Sequence, residues 1–210
     1  MKKKVTAIVP VRKGSQRVKN KNFRDFAGTN LLRIKLMTLL EVNTIDRIVV
    51  STDSEEAIET SKELGVDYHI RDEYFASSKV NNSEYFYNLA ENIHGDYLMY
   101  SPVTCPLLSK ETYLNCIEYF QSESVENIVT VAPVKHHMWL DGKPLNYDIK
   151  NSPNSQDLPD IFSITYGACI LSRNDMLKYK NVVTENPTFK VLNEIESIDI
   201  LKDASAAAVY

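Results

Sequence analysis

The sequence predicts an α/β fold, a mostly parallel sheet covered on both faces by helices. Three observations carry this. Short β-branched runs alternate with stretches of helical apolar spacing from residue 5 to residue 134. A chain of 210 residues with 43% hydrophobic and 25% charged content suits one large domain with a real core. No internal repeat or low-complexity tract interrupts it.

Taken in order, VTAIVPV (5–11) reads as a buried strand and LLRIKLMTLLEV (31–42) as a helix. DRIVVSTD (46–53) is a strand whose C-terminal end carries Ser51, Thr52 and Asp53. SEEAIETSKELG (54–65) is a helix with Ser54 as N-cap, acids in its first turn and Gly65 as its stop. VDYHIRD is a short strand, 82–93 a helix and 96–101 a strand. The helix at 109–120 opens on Ser109, with Glu111 favouring its dipole, and 127–134 is a further strand.

From about 135 to 160 the alternation breaks. Three prolines and a hairpin turn at Asp141-Gly142 stand there without a long apolar run, and the aromatics argue for an ordered arm or lid inserted in a single domain, 1–210. Alternation resumes with a strand at 164–172, a helix at 173–180, ESIDI (196–200) and a closing helix from Asp203 to Val209.

Charge is unevenly spread. Residues 1–24 hold nine basic side chains and no acidic one, while the remainder carries 15 basic against 28 acidic, a formal −13. An anionic ligand near the N-terminal segment follows. Nucleic acid is a poor partner for so acidic a bulk. The start MKKKVTAIVPVRK imitates a signal peptide, but Arg12 and Lys13 interrupt its apolar run and no cleavage site follows. No segment reaches the ~20 apolar residues of a membrane span. Cys105, Cys116 and Cys169 are odd in number and form no CxxC pair, so they read as core residues of a cytoplasmic protein.

Ligands of parallel α/β sheets bind beyond the carboxyl ends of strands. Four such ends are chemically loaded here: Arg12 to Asn22, Ser51 to Asp53, Ser101 to Pro106 and Asp199 to Asp203. The first loop, RKGSQRVKNKN, is neither a Walker P-loop nor a GxGxxG fingerprint. Its Gly14 lets the backbone approach closely, Ser15 offers a hydroxyl, and Arg12, Arg17 and Lys21 supply positive charge to phosphate oxygens. Asp53 reads as a neighbour of the following helix cap, Tyr85, Phe86 and Tyr87 as including core-facing residues, and His136-His137 as structural or at the substrate's edge rather than metal ligands, since adjacent strand residues point oppositely. Arg71 is open between an acceptor and its neighbours Asp72 and Glu73.

These residues resemble a known family. AIVPVRKGSQRVKNKN is similar to the signature loop of the acylneuraminate-type cytidylyltransferases, with Arg12, Gly14, Ser15, Lys21 and Asn22 matching and Gln16 where lysine is common. IDRIVVSTDSEEAIETSKELGVDYHIRDEYFASS follows the family, including Arg71 and Ala76, and SQDLP (155–159) and ESIDI lie in the expected order. The resemblance implies a Rossmann-like three-layer sandwich with the 135–160 excursion as a protruding dimerisation arm, hence a homodimer. It implies CTP bound by Arg12, Gly14, Ser15, Arg17, Lys21, Asn22 and Thr104. It further implies catalysis by Arg12 and Lys21, Mg2+ on Asp199, and an acidic sugar held by Arg71, Gln156 and Tyr166. An acceptor hydroxyl attacks the α-phosphorus and pyrophosphate leaves.

The sequence departs from the family's pattern where the acceptor and metal are expected. Leu201 replaces the second aspartate of S-I-D-I-D. SPVTCPLL has Pro102 and Leu108 where Gln and Arg are expected, and ITYGA has Ile164 and Tyr166 in place of Arg and Asn. The nucleotide half is kept and the acceptor half rebuilt, away from sialic acid and toward a related nonulosonate, an octulosonate or another acidic metabolite. A non-sugar acceptor such as a phosphonate, and a binding-only homologue, stand as alternatives.

Overall fold

The computed structural model describes residues 2–14, 20–122 and 124–200. The sequence expectations for Ser15, Arg17, Leu201, Asp203 and the closing helix lie outside these residues.

The first half is a regular succession: β1 (Val5–Pro10), α1 (Leu31–Leu40), β2 (Arg47–Thr52), α2 (Glu55–Glu63), β3 (Asp67–Ile70), α3 (Glu73–Ala76), α4 (Asn82–Asn92) and β4 (Tyr97–Tyr100). Then come α5 (Lys110–Phe120), β5 (Asn127–Val134), the two-residue strands β6 (Trp139–Leu140) and β7 (Lys143–Pro144), β8 (Ile161–Ser172), α6 (Arg173–Tyr179) and β9 (Thr188–Val191). Seven strands form one sheet in the order β3-β2-β1-β4-β8-β5-β9. Pairings β1–β2, β1–β4, β2–β3 and β5–β9 are parallel, and β8 runs antiparallel between β4 and β5.

The two sheet faces bury two cores. On one, Val5, Ala7 and Val9 of β1 pack with Leu31, Leu32, Leu36 and Leu39 of α1 and with Tyr113, Ile117 and Phe120 of α5. On the other, Ile8 packs with Phe86, Leu89 and Ala90 of α4 and Met176 of α6. The alternation of β1 side chains between these layers is the two-residue period of a strand covered on both sides. This is the three-layer arrangement that the alternation predicts.

Local signals mostly act as expected. Ser109 caps α5 by accepting from the Thr112 N–H at 3.2 Å. Gly65 follows α2 at φ +68°, the left-handed turn that ends a helix most cheaply with glycine. Asp141 (φ +49°) and Gly142 (φ +76°) make the tight turn between β6 and β7. Three features differ from the sequence reading. Ser54 makes no side-chain cap; instead Thr52 Oγ1 accepts the Ser54 N–H at 3.0 Å. TFKV forms the edge strand β9, where four residues of mixed polarity gave no periodic signal. ESIDI is a run of turns.

Strand β8 is the main irregularity. Between Val129↔Cys169 and Val131↔Ile164, β5 advances two residues while β8 advances five. The surplus bulges out of the ladder at residues 165–168, with Tyr166 at φ +58°. A bulky residue in that region is strained by about 1 kcal/mol or more and needs surrounding contacts to hold it.

Candidate active site

The chain steps outward from β1 to β3 and then returns to β4 on the other side of β1. The ends of β1 and β4 therefore flank a topological switch point, the usual ligand crevice of open α/β sheets. A cavity of about 470 Å³ opens there. Its floor and walls include Arg12, Lys21, Asn22, Arg71, Tyr85, Tyr100, Thr104, Tyr166 and Asp199.

One wall is built from the loop after β1. The backbone turns at Gly14 (φ +72°) and returns through Asn20 (φ +56°), whose carbonyl accepts the N–H groups of Phe23 and Arg24. Asn22 donates its amide to the Arg12 carbonyl at 3.2 Å, closing the loop on itself. Asp53 accepts the Lys13 N–H at 2.7 Å. Besides standing next to the Ser54 N-cap as expected, Asp53 thus anchors the basic loop to the end of β2. Arg12 is half-buried and reaches toward the Ala76 carbonyl.

Arg71 is buried, donating Nη2 to the Val11 carbonyl at 2.7 Å, with its guanidinium 5.4 Å from the Tyr85 ring centre. Its Nε–H has no hydrogen-bond partner among the described residues. Such a buried donor is expensive to leave unmade, and here it borders a cavity that a ligand can fill. Asp72, the other partner considered from sequence, caps α3 through the Tyr74 N–H at 2.8 Å. The Arg71 charge, second to burial, also keeps the His69 pKa below its ordinary value.

The opposite wall combines the loop after β4 with the β8 bulge. Tyr166 stacks on Phe86, ring centres 6.4 Å apart, and stands edge-on to Tyr100 at 6.3 Å. Burial, and then the neighbouring Tyr85 phenol, push the Tyr100 pKa well above its ordinary value. Asp199 reaches the cavity because the segment before it is tied down at both ends. Glu196 accepts the Ser109 N–H at 3.0 Å and the Thr112 hydroxyl at 2.7 Å, and the Ile200 N–H donates to the Thr104 carbonyl at 2.8 Å. Lys21, largely buried, donates its ammonium to the Ile200 carbonyl at 2.8 Å, joining the first loop to this segment. Burial, and after it the negative charge of Asp199, raise the Cys105 thiol to about 11.

The structure thus brings Arg12, Lys21, Asn22, Arg71, Thr104, Tyr166 and Asp199 to one cavity. Gly14 supplies the turn rather than a lining surface. Gln156 is not brought there. Leu158 is buried and Lys135 holds both its carbonyl and Asp160, each at 2.8 Å, which leaves Gln156 exposed in the arm of its own chain. His137 is used inside the arm, its Nε2 3.1 Å from the Pro153 carbonyl and its ring edge-on to Tyr147.

Sequence reasoning missed Tyr85 and Tyr100. Of the three aromatics at 85–87, only Phe86 is buried in the core, while Tyr85 turns into the cavity. The signal was present in the phase of the helix: with Phe86, Leu89, Ala90 and Ile93 on the core stripe, Tyr85 falls at its margin.

A switch-point crevice with two arginines, a lysine and a carboxylate converging on it is equipment for a phosphorylated ligand and a reaction at its phosphate. The sequence profile of the cytidylyltransferase family matches residues 6–144, and the chain belongs to that family of nucleotidyltransferases. It is 30% identical over 119 residues to the pseudaminic acid cytidylyltransferase of Campylobacter jejuni, covering 54% of this chain and 51% of that protein. It is 23% identical over 214 residues to the CMP-N,N'-diacetyllegionaminic acid synthase of Legionella pneumophila, covering 94% of this chain and 90% of that protein. The match to the N-acylneuraminate cytidylyltransferase of Escherichia coli, 28% over 134 residues, spans 62% of this chain but only 32% of that protein. Among solved structures, a CMP:2-keto-3-deoxy-manno-octonic acid synthetase complexed with CTP superposes with TM-score 0.72 at 10% identity, over 98% of this chain and 96% of that one. That likeness bears on the fold, which is the Rossmann-like nucleotidyltransferase architecture.

Proposed function

We propose that this protein transfers CMP from CTP to a hydroxyl of an acidic sugar of the nonulosonic or octulosonic type, releasing pyrophosphate. The observation that carries it is the convergence of Arg12, Lys21 and Asp199 on one switch-point cavity in a chain of the cytidylyltransferase family. The relatives named for pseudaminic, legionaminic and N-acylneuraminic acids support an acidic sugar as acceptor.

The first loop holds the triphosphate, with Arg12 and Lys21 on the oxygens that gain charge as pyrophosphate departs and with Gly14, Ser15, Arg17, Asn22 and Thr104 completing the nucleotide site. The attacking hydroxyl oxygen forms the new bond to the α-phosphorus, the bond to the β-phosphate bridge breaks, and the hydroxyl proton leaves to solvent. Arg71 donates its unpartnered Nε–H to bound substrate, and Tyr166 shapes the acceptor wall. The donor set fits Mg2+ carried in on the triphosphate, since one carboxylate, Asp199, is what an ion already bound to phosphates and water requires. Bound there, the ion would draw charge from the α-phosphate and acidify the attacking hydroxyl.

The protein works as a homodimer in this reading. Phe162 and Ile164 of β8 and Phe189 and Val191 of β9 share one sheet face, with the rings of Phe162 and Phe189 5.7 Å apart. All four are substantially exposed at the sheet edge, as are Trp139, Leu140 and Ile149 of the arm. A second copy of the chain covers such a surface economically. Three buried free thiols suit the reducing cytoplasm, and among the described residues no helix is long and apolar enough to cross a membrane.

The test is pyrophosphate release with CTP, Mg2+ and a panel of sialic, pseudaminic, legionaminic and Kdo-type acids. Turnover with one acid establishes the reaction and names the acceptor. Silence across the panel with CTP binding intact in calorimetry overturns the acidic-sugar reading.

A further inference from the structure

We propose that Lys35, on the buried face of α1, is a positioning residue that fixes both parts of the β4–β8 wall of the candidate site at once, the loop after β4 and the β8 bulge. The inference rests on the cytidylyl-transfer reading of that site and goes beyond it, because Lys35 touches neither the cavity nor any residue expected to bind substrate.

Lysine is almost never fully buried without a partner, yet Lys35 is 1% exposed. Its helical neighbours on the same face, Leu31, Leu32, Leu36 and Leu39, are all fully buried leucines. Another leucine or a methionine would serve packing alone at no electrostatic cost. Among the described residues no carboxylate pairs with the ammonium. It donates instead to the Cys105 carbonyl at 2.7 Å and the Tyr113 hydroxyl at 2.6 Å.

Each bond leads to a different part of that wall. Cys105 follows Thr104, which lines the cavity and whose carbonyl receives the Ile200 N–H beside Asp199. Pinning the Cys105 carbonyl therefore fixes the loop on which Asp199 leans. Tyr113, accepting from Lys35, shares a 2.5 Å hydrogen bond with Ser101 Oγ, in which one hydroxyl donates to the other, and the hydroxyl whose proton is left over donates to the Gly167 carbonyl, 3.3 Å from Tyr113 and 3.2 Å from Ser101. Gly167 follows Tyr166 in the β8 bulge, so this branch holds the left-handed Tyr166 in place. Cys105 and the bulge are also joined directly, the thiol donating to the Thr165 carbonyl at 3.3 Å. Burial lowers the Lys35 pKa to about 8, so at neutral pH the ammonium keeps its proton and both bonds.

The test compares Lys35→Met and Tyr113→Phe with the unaltered protein, measuring melting temperature, kcat, KM for CTP and for the acceptor, and the Mg2+ concentration giving half-maximal rate. Lys35→Met keeps length and removes a buried charge, but leaves the Cys105 carbonyl without this donor, at a cost in stability. It is expected to raise the Mg2+ requirement about tenfold and to raise the acceptor KM, with a smaller rise in the CTP KM because Thr104 is one of several nucleotide contacts. Tyr113→Phe severs only the second branch and raises the acceptor KM about fivefold, leaving the Mg2+ requirement alone. A Lys35→Met protein with the original Mg2+ requirement and acceptor KM overturns the inference, whether or not its melting temperature has moved. Should that variant fail to fold, an unchanged acceptor KM in Tyr113→Phe overturns it equally. An unaltered protein inactive with every acid sinks the proposed function instead. The inference is then read from Mn2+ binding in the presence of CTP, followed by electron paramagnetic resonance, where Lys35→Met is expected to bind Mn2+ about tenfold more weakly and unchanged affinity overturns it.

Discussion

The two halves of the cavity are made in different ways. On the β1–β2–β3 side, three parallel strands end in a loop that closes on itself, Asn22 bonding back to the Arg12 carbonyl across ten residues. On the β4–β8 side, an antiparallel strand is inserted between β4 and β5, and its bulge meets a segment that arrives from residues 193–200. The first half supplies positive charge on a frame tied together by the Asp53–Lys13 and Arg71–Val11 bonds. The second supplies shape and one carboxylate, each held by bonds that span tens of residues. In the proposed function, the phosphate chemistry shared by every acceptor falls to the first half. The surfaces proposed to choose the acceptor sit on the second half, where substitution can retune them away from the residues proposed to hold phosphate.

If that division holds, removing charge from the first half is the most damaging change. Arg12→Ala is expected to lower kcat/KM at least a hundredfold, the usual loss for a donor aimed at developing charge, with no fall in melting temperature. Steady-state pyrophosphate release beside a thermal melt decides it, and near-normal turnover would remove Arg12 from the phosphates. Asp199→Asn keeps shape and deletes the charge. Its activity is expected to fall between tenfold and a hundredfold and to recover in part at high Mg2+. A Mg2+ titration that superposes on that of the unaltered protein would show that Asp199 does not hold the ion.

Tyr166 sharpens the contrast from the acceptor side. Tyr166→Gly relieves the left-handed backbone, worth about 1 kcal/mol, and forfeits aromatic contacts with Phe86 and Tyr100 of similar size. With two such contacts and the burial of the ring lost, a modest net loss of stability is expected. The acceptor KM is expected to rise about tenfold while the CTP KM stays put. Equal increases in both constants would mean that the two halves are not separable.

The same asymmetry explains what was legible in the sequence. Parallel strands and their crossover helices announce themselves by local period and caps, so β1 to α5 could be read almost residue by residue. The basic loop was legible because charge clusters are visible without a fold, as was Asp199 through its resemblance. Arg71 was found, but its bond to Val11 was not, since no local rule joins residues sixty positions apart. The β8 bulge left no trace, because TYGA reads as ordinary strand until β5 is laid beside it. Gln156 was assigned to the acceptor by order along the chain, and the anchors Lys135 and Leu158 leave it exposed in the arm. The Lys35 network escaped for a related reason: a lysine among leucines on a helix looks like a solvated margin until both faces of the sheet are filled.

The smallest effect tests the tether rather than the site. Partial burial works against the Glu196 charge, but hydrogen bonds from Ser109 and Thr112 outweigh it, with the charge of Lys190 assisting, and hold the carboxyl below its ordinary range. A carboxyl whose pKa is depressed on folding adds stability that is complete above the ordinary value near 4.5 and is lost as the pH falls through the folded value. Glu196→Gln keeps an acceptor oxygen but loses the charge at the N-terminus of α5. It is expected to cost about 0.5 kcal/mol at pH 7, the usual worth of an exposed carboxylate at a helix start, and progressively less below pH 4. Urea denaturation of both proteins at pH 7 and pH 3.5 measures this. A gap that stays constant with pH would mean that Glu196 holds the 193–200 segment by hydrogen-bond geometry alone. Asp199 would then be presented equally well across that range, and acid inactivation would have to begin at a group other than Glu196.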